Sequence, residues 1–236
     1  MTGTYNGYER DSKEIAYGGY SNGFVIDQDY AFTIPENLEM AAVAPLLCAG
    51  ITLYSPIKHF DTKKGMQVGV MGLGGLGHMG VKFANALGAE VSVLSHSESK
   101  REDALRMGAS NFYTIKNTED LKPLRRRFDL LLNTISAPID INAYVETLKI
   151  DGTMAIIGLP DSPYTLRAGA LLDGRKSLTG SMIGGIPETQ EMLDFAGKHN
   201  LTSDIELISA DYVNEAYKRT IASDVKYRFV IDAATF

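Results

Sequence analysis

The sequence has no tryptophan and a single cysteine, Cys48. One cysteine excludes an intramolecular disulfide and a four-cysteine metal site within the chain. It fits a reducing, cytoplasmic setting. An excess of positive charge is also missing: 23 Lys and Arg stand against 29 Asp and Glu, for a net charge of −6. That balance does not suit a polyanion binder, and nucleic acid is not an expected partner. The densest basic run, Arg125 to Arg127, reads as a solvated helix end. Long apolar runs are lacking too. The longest nearly unbroken one, AAVAPLLCAGITLY from Ala41 to Tyr54, contains Pro45 and is too short to cross a bilayer. It reads as a buried core segment, and no membrane partner is expected. The opening MTGTYNGYERDSKE has no apolar stretch of the kind a secretory signal needs. There is no internal repeat and no low-complexity tract.

What is present is a regular alternation. With 236 residues, 44% of them hydrophobic, the chain suffices for one large domain, or for one domain and an incomplete second lobe. GFVIDQDYAFTI, which ends at Pro35, alternates and predicts one or two strands. Further strands are predicted at QVGVMG (Gln67 to Gly72), EVSVLS (Glu90 to Ser95), NFYTI, FDLLLNT (Phe128 to Thr134), TMAIIG and SLTGSMIGG (Ser177 to Gly185). Between them run helix-period segments. One carries Leu76, Met79, Phe83, Ala84 and Leu87 and stops at Gly88. Another is ESKREDALRMG, and a third, INAYVETLKI, leads through Asp151 and Gly152 into TMAIIG. Six strands with intervening helices predict an α/β fold, a Rossmann-type, doubly wound parallel six-stranded sheet. The C-terminal part differs: helix PETQEMLDFAGKHN, strand IELIS, helix DYVNEAYKRTIAS and strand KYRFVID. It predicts a separate layer. Residues 46–185 are therefore read as the central domain, with 1–45 and 186–236 forming a partial second lobe.

The stretch GLGGLGHMG, Gly72 to Gly80, follows the strand QVGVM and opens a helix. Gly72, Gly74 and Gly77 fit G-x-G-x-x-G, with Gly75 between them. The first glycine permits a tight turn, the second lets the backbone approach a pyrophosphate, and the third lets helix and strand pack closely. The helix N-terminus then offers free N–H groups and positive dipole to phosphate. Glycines in such a turn can be purely structural, but the flanking strand and helix favour dinucleotide binding. About 20 residues on, NAD-binding versions place an acidic residue on the ribose. This chain has Ser95, His96 and Ser97 there, with Lys100 and Arg101 close behind. Hydroxyls and cations accept a 2′-phosphate that a carboxylate would repel, so NADP(H) is favoured over NAD(H).

APLLCAGITLYSP (Ala44 to Pro56), GLGGLGHMGVKFA, GSMIGGIPETQEMLDF (Gly180 to Phe195) and DVKYRFVID (Asp224 to Asp232) resemble one family. They are similar to the cinnamyl-alcohol-dehydrogenase-type branch of zinc-dependent medium-chain alcohol dehydrogenases, and the likeness runs from MTGTYNG onward. The resemblance implies a Rossmann domain holding NADP(H) and a GroES-like catalytic lobe holding zinc. It also implies hydride transfer between the nicotinamide and a primary alcohol or aldehyde, and a homodimer joined through Ser181 to Gly185. Cys48 would be a zinc ligand and Thr52 would lie against the nicotinamide. Gly72, Leu73, Gly74, Gly75, Leu76 and Gly77 would hold the pyrophosphate, with Arg228 reaching it from the returning C-terminal segment. Ser95, His96, Ser97 and Lys100 would surround the 2′-phosphate. Thr134 and Ile135 would border the adenosine ribose. Gly158, Leu159, Ser181 and Ile183 would line the nicotinamide side.

The sequence departs from that family at its zinc. The family's other catalytic ligands, and its four-cysteine structural loop, lie upstream of anything present here. A catalytic zinc needs three protein ligands and an open position, and His59, His78, His96 and His199 have no spacing that relates them to Cys48. Cys48 in this chain then reads as a small buried side chain, and zinc is not expected to be retained by this chain alone. Tyr17, Tyr20, Phe24 and Phe32 read as packing of the partial lobe. Two readings therefore stand: part of an NADP(H)-dependent alcohol dehydrogenase, or a non-catalytic NADP(H)-binding and dimerisation module. A zinc-independent reductase of the quinone-reductase kind is disfavoured by Cys48 and SMIGGIPETQEM.

Overall fold

A computed structural model of the chain describes residues 5–8, 12–17, 19, 23 and 25–236. Tyr20 and Phe24 lie outside the described residues. Strands β1 (Tyr5–Tyr8) and β2 (Ile15–Tyr17) form an antiparallel pair. Helices α1 (Met40–Val43) and α2 (Ala49–His59) lead into β3 (Gln67–Met71), α3 (Gly77–Ala86), β4 (Glu90–Ser95), α4 (Arg101–Arg106) and β5 (Asn111–Thr114). The second half continues with β6 (Phe128–Asn133), α5 (Ile141–Val145), β7 (Leu148–Ile156), α6 (Ala168–Leu172) and β8 (Ser177–Gly180). It ends with α7 (Ile186–His199), β9 (Ile205–Ile208), α8 (Val213–Ile221) and β10 (Arg228–Ile231).

Six of these strands form one sheet in the order β5-β4-β3-β6-β7-β8, every pair parallel. Numbered from β3, that order is 3-2-1-4-5-6, the doubly wound arrangement whose crevice opens between the first and fourth strands. The period-2 alternation of each strand sends side chains to two separate cores. Val68, Val70, Val91, Val93, Leu130 and Leu132 pack under α2, α3 and α7 on one face. Met71, Leu94, Leu131 and Met154 pack under α5 and a 3-10 turn on the other. Tyr54 and Phe83 meet edge-on, with ring centroids 5.5 Å apart, where α2 crosses α3. Ala41 to Tyr54 is thus divided between α1, a 3-10 turn and α2, and α2 is buried along most of its length. No single described helix is long and apolar enough to cross a membrane, although α1 with its following turn and α2 would pass as a bent pair by length and composition. β9 and β10 pair in parallel as a separate two-stranded sheet, whereas α7, read from the sequence as part of that layer, buries Met192, Leu193 and Ala196 in the core beside α2.

Four expectations need correction. GFVIDQDYAFTI forms no strand in its described part. Asp27 caps a 3-10 turn at Gln28–Tyr30 by accepting from the Asp29 N–H, and Val25 is 97% exposed, with no strand beside it among the described residues. The helix read into INAYVETLKI stops at Val145, because Thr147 turns its hydroxyl onto the Tyr144 carbonyl (2.7 Å) and Leu148 already pairs with Phe128. Asp151 and Gly152 consequently lie inside β7, where the register jumps from Phe128↔Leu148 to Leu130↔Thr153. The sixth core strand ends at Gly180; Ile183 takes φ 48, a left-handed conformation that cannot continue a strand. The arginine run is not a uniformly solvated helix end, since Arg127 is drawn in over the Tyr113 ring, 5.5 Å from its centroid.

Candidate cofactor site

The site grows from the turn after β3. Gly72 has φ +87, a conformation that suits glycine, and its N–H donates to the Leu94 carbonyl at 2.8 Å. The loop to Leu76 then enters α3, which no side chain caps. A Cβ on Gly77 would stand far inside van der Waals contact of the Gly72 carbonyl oxygen, so only glycine closes this turn. Gly74 is the opposite case: nothing lies within 4 Å of where its Cβ would be, and its face is open to a ligand. The Thr134 hydroxyl donates to the Met71 carbonyl (2.8 Å) and ties the end of β6 to the same turn.

A cavity of about 900 Å³ opens over the loop at the sheet's switch point. Its floor is Gly72 to Leu76, with Thr134 and Ile135 on one side and Ser95, His96 and Lys100 on the other. Arg228, the first residue of β10, closes it from the far side, and its Nε donates to the Gly75 carbonyl at 3.3 Å. Lys100 is half-buried and its Nζ donates to the Leu73 carbonyl at 2.8 Å; burial pulls its pKa below the ordinary lysine value. Ser95 is buried at the end of β4, and its Oγ accepts from the Ser97 N–H at 3.3 Å. Ser97 bonds Ser99 Oγ at 2.8 Å and is not in the cavity wall. The first carboxylate after β4, Glu98, is engaged by Arg101 and Thr114, which hold its pKa down to about 2, and it too stays out of the wall, whereas Asp140 lines the cavity and caps α5 by accepting from the Asn142 N–H.

The residues expected on the nicotinamide side are not gathered round this cavity. Thr52 is buried in α2 with its hydroxyl on the Cys48 carbonyl (2.6 Å). The Gly158 N–H donates to the Asn133 carbonyl (2.9 Å), and the Ser181 N–H donates to the Ile156 carbonyl (3.0 Å). Leu159 is 86% exposed and Ile183 is 45% exposed. Cys48 is exposed rather than buried, which corrects the reading of it as a packed side chain. Phe32 packs partly buried against the core, as expected.

The sequence reading missed Lys116, Asn117 and Ile115, which follow β5 and line the cavity, and Tyr217, which faces it from α8. A signal for the first three was present. Parallel strands leave a sheet at one edge, and β5 pairs with β4 so that Thr114 lies opposite Ser95. Also missed was Asn133, fully buried, whose Oδ1 accepts from the Ile135 N–H (3.0 Å) and whose Nδ2 donates to the Tyr164 hydroxyl (3.2 Å). It shapes the loop that bears Thr134 and Ile135.

A parallel sheet of this order, a glycine turn at its switch point and a cationic cavity above that turn define a dinucleotide-binding Rossmann domain. Comparison with known proteins is more specific. Residues 75–198 match the family described as "Zinc-binding dehydrogenase". The chain is 54% identical to NADP-dependent alcohol dehydrogenase C 1 of Mycolicibacterium smegmatis over 100% of its own length and 67% of that protein. It superposes on cinnamyl alcohol dehydrogenase SbCAD4 of Sorghum bicolor with a TM-score of 0.93 at 42% identity, covering 97% of this chain and 66% of that one. It also matches the cinnamyl alcohol dehydrogenase of Helicobacter pylori complexed with NADP(H), at a TM-score of 0.87 and 42% identity, over 95% of this chain and 64% of that one. The chain belongs to the zinc-binding dehydrogenase family, and it spans about two thirds of the length of these relatives.

The two groups the family implies fare differently against the residues present. The glycine turn, the open face of Gly74 and the cations Lys100 and Arg228 fit a pyrophosphate-bearing nucleotide. Zinc does not find a donor set: among the described residues no three His, Cys, Asp or Glu side chains converge, and Cys48 stands by itself.

Proposed function

We propose that this chain is the NADP(H)-binding portion of a zinc-type alcohol dehydrogenase, serving reversible hydride transfer between NADP(H) and a primary alcohol or aldehyde. Residues 46–185 form its nucleotide domain, and 1–45 with 186–236 belong to the catalytic lobe. The observation that carries the reading is the end of β4: a buried serine and a lysine face the cavity, while Glu98, the first carboxylate after that strand, is paired with Arg101 outside it. Gly72 to Gly77 orient the pyrophosphate with Arg228 as its clasp, and Ser95, His96, Ser97 and Lys100 take the 2′-phosphate. Thr134 and Ile135 border the adenosine ribose. Thr52, Gly158, Leu159, Ser181 and Ile183 face the nicotinamide, which supplies or accepts the hydride. Cys48 is the one thiol this chain offers to a metal. The described donors do not make a zinc site.

The lack of a three-donor cluster among the described residues favours a second reading, an NADP(H)-binding and dimerisation module without catalysis of its own. In either reading the partner is a second copy, met beyond β8 at Ser181 to Gly185. β8 is the edge of the six-stranded sheet, and Met182 is 74% exposed just past it. The setting is the cytoplasm.

Calorimetric titration of the purified chain with NADPH, and with NADH as comparison, tests the proposal. NADPH is expected to bind at least tenfold more tightly, about 1.4 kcal/mol; equal binding or a preference for NADH refutes the cofactor assignment. Ser95→Asp, which sets a carboxylate at the end of β4, is expected to reverse the preference by weakening NADPH about tenfold or more while sparing NADH. Aldehyde reduction in the presence of added zinc then separates the two readings.

A further inference from the structure

We propose that Lys116 is a second cation for the 2′-phosphate, opposite Lys100, and that it sets the preference for NADP(H) over NAD(H) in this chain. The proposal rests on the reading that the cavity takes NADP(H). β4 and β5 run parallel with Ser95 opposite Thr114, so both strands release their chains at the same edge of the sheet. Lys116, two residues beyond Thr114, lines the cavity together with Ser95, His96 and Lys100. Its backbone is fixed at that rim: the N–H groups of Lys116 and Asn117 both donate to Asp120 Oδ2, at 2.8 and 3.0 Å. That carboxylate is in turn held in a capping box with Asn117 at the start of the 3-10 turn Thr118–Leu124.

The side chain differs in kind from that of Lys100. The Lys100 ammonium is half-buried and spends a donor on the Leu73 carbonyl. Lys116 is exposed, and no side-chain hydrogen bond holds its ammonium among the described residues. A phosphate monoester carries about −1.5 to −2 charges at neutral pH, more than one partly engaged lysine balances. Of the acidic groups close to Lys116, Glu98 is already paired with Arg101, and Asp120 spends Oδ2 on the backbone N–H groups of Lys116 and Asn117. Lys116 is thus anchored at its backbone, exposed in its side chain and part of the same cavity lining as Lys100. A ligand without the 2′-phosphate gives it nothing to bind.

The test measures binding of NADPH and NADH to the whole chain and to Lys116→Gln and Lys116→Arg. Lys116→Gln is expected to weaken NADPH about five- to tenfold, as loss of a charge-assisted hydrogen bond does, and to leave NADH within about twofold. Lys116→Arg is expected to restore NADPH binding. Salt is expected to weaken NADPH binding less steeply in Lys116→Gln than in the wild type, since an exposed cation has been removed. Unchanged NADPH affinity in Lys116→Gln, or equal losses for both nucleotides, overturns the proposal while the wild-type preference for NADPH stands. A wild-type chain that binds neither nucleotide, or prefers NADH, overturns the functional reading and this inference together.

Discussion

Gly77→Ala is expected to abolish measurable NADPH binding and to destabilise the chain by about 3 kcal/mol or more, the range for steric insertion against fixed backbone. The added methyl meets the Gly72 carbonyl oxygen, which cannot swing away: the Gly72 N–H is bonded to Leu94, and the Thr134 hydroxyl holds the residue before it. Gly74→Ala provides the contrast. Its methyl meets no protein atom within 4 Å, so the fold is expected to keep its melting temperature within about 2 °C. NADPH, however, is expected to bind about tenfold or more weakly, because the methyl occupies the approach of the pyrophosphate. Thermal melts and calorimetry on both variants check the pair. Equal destabilisation of the two, or normal binding by Gly74→Ala, would show that the loop does not present its open face to the ligand.

Stability is expected to fall by about 3 kcal/mol between pH 6.5 and about 4 on account of one residue, His78. This imidazole is fully buried, stacked on Tyr227 with centroids 5.2 Å apart. Its Nδ1–H donates to the Gly74 carbonyl (3.2 Å), which leaves Nε2 to accept the Ser203 hydroxyl (2.9 Å). Burial above all, then the neighbouring Lys82, pushes its pKa down to about 4; the Gly74 carbonyl and Asp204 oppose that shift, and Arg228 adds weakly to it. The unfolded chain therefore takes up the proton near pH 6.5, while the folded chain resists it until about pH 4. Between those values the unfolded state binds more protons, so stability is lost as pH falls and levels off below. Denaturant titrations from pH 7.5 to 4.5 on the wild type and His78→Gln measure this, the difference between the two isolating the histidine from titrating carboxylates. Parallel pH profiles would refute it.

The sheet was legible because each strand carries its own period. Val68 and Val70 face one core and Met71 the other, and the same alternation recurs through β4 and β6. The phosphate turn was legible because its glycines answer a local steric demand that Gly72 and Gly77 still meet in the fold. What was not legible depends on partners distant in sequence. Whether GFVIDQDYAFTI becomes a strand turns on a neighbouring strand that its own residues do not encode. The end of α5 was set by the pairing of Leu148 with Phe128 in β6, invisible from the helical pattern of INAYVETLKI. Lys116 follows a short strand and looks solvated until β4 and β5 are placed side by side. Cys48 reads as buried by residue type but is exposed, since burial is a property of what covers a side chain, not of the side chain.

The contact between Arg228 and Gly75 joins residues 153 apart in sequence. Synthesis proceeds from the N-terminus, and domains fold as they emerge. For that whole interval the glycine turn exists without its clasp, with one rim of the nucleotide cavity still unmade. That rim is complete only once β10 lies beside β9 and brings Arg228 over Gly75.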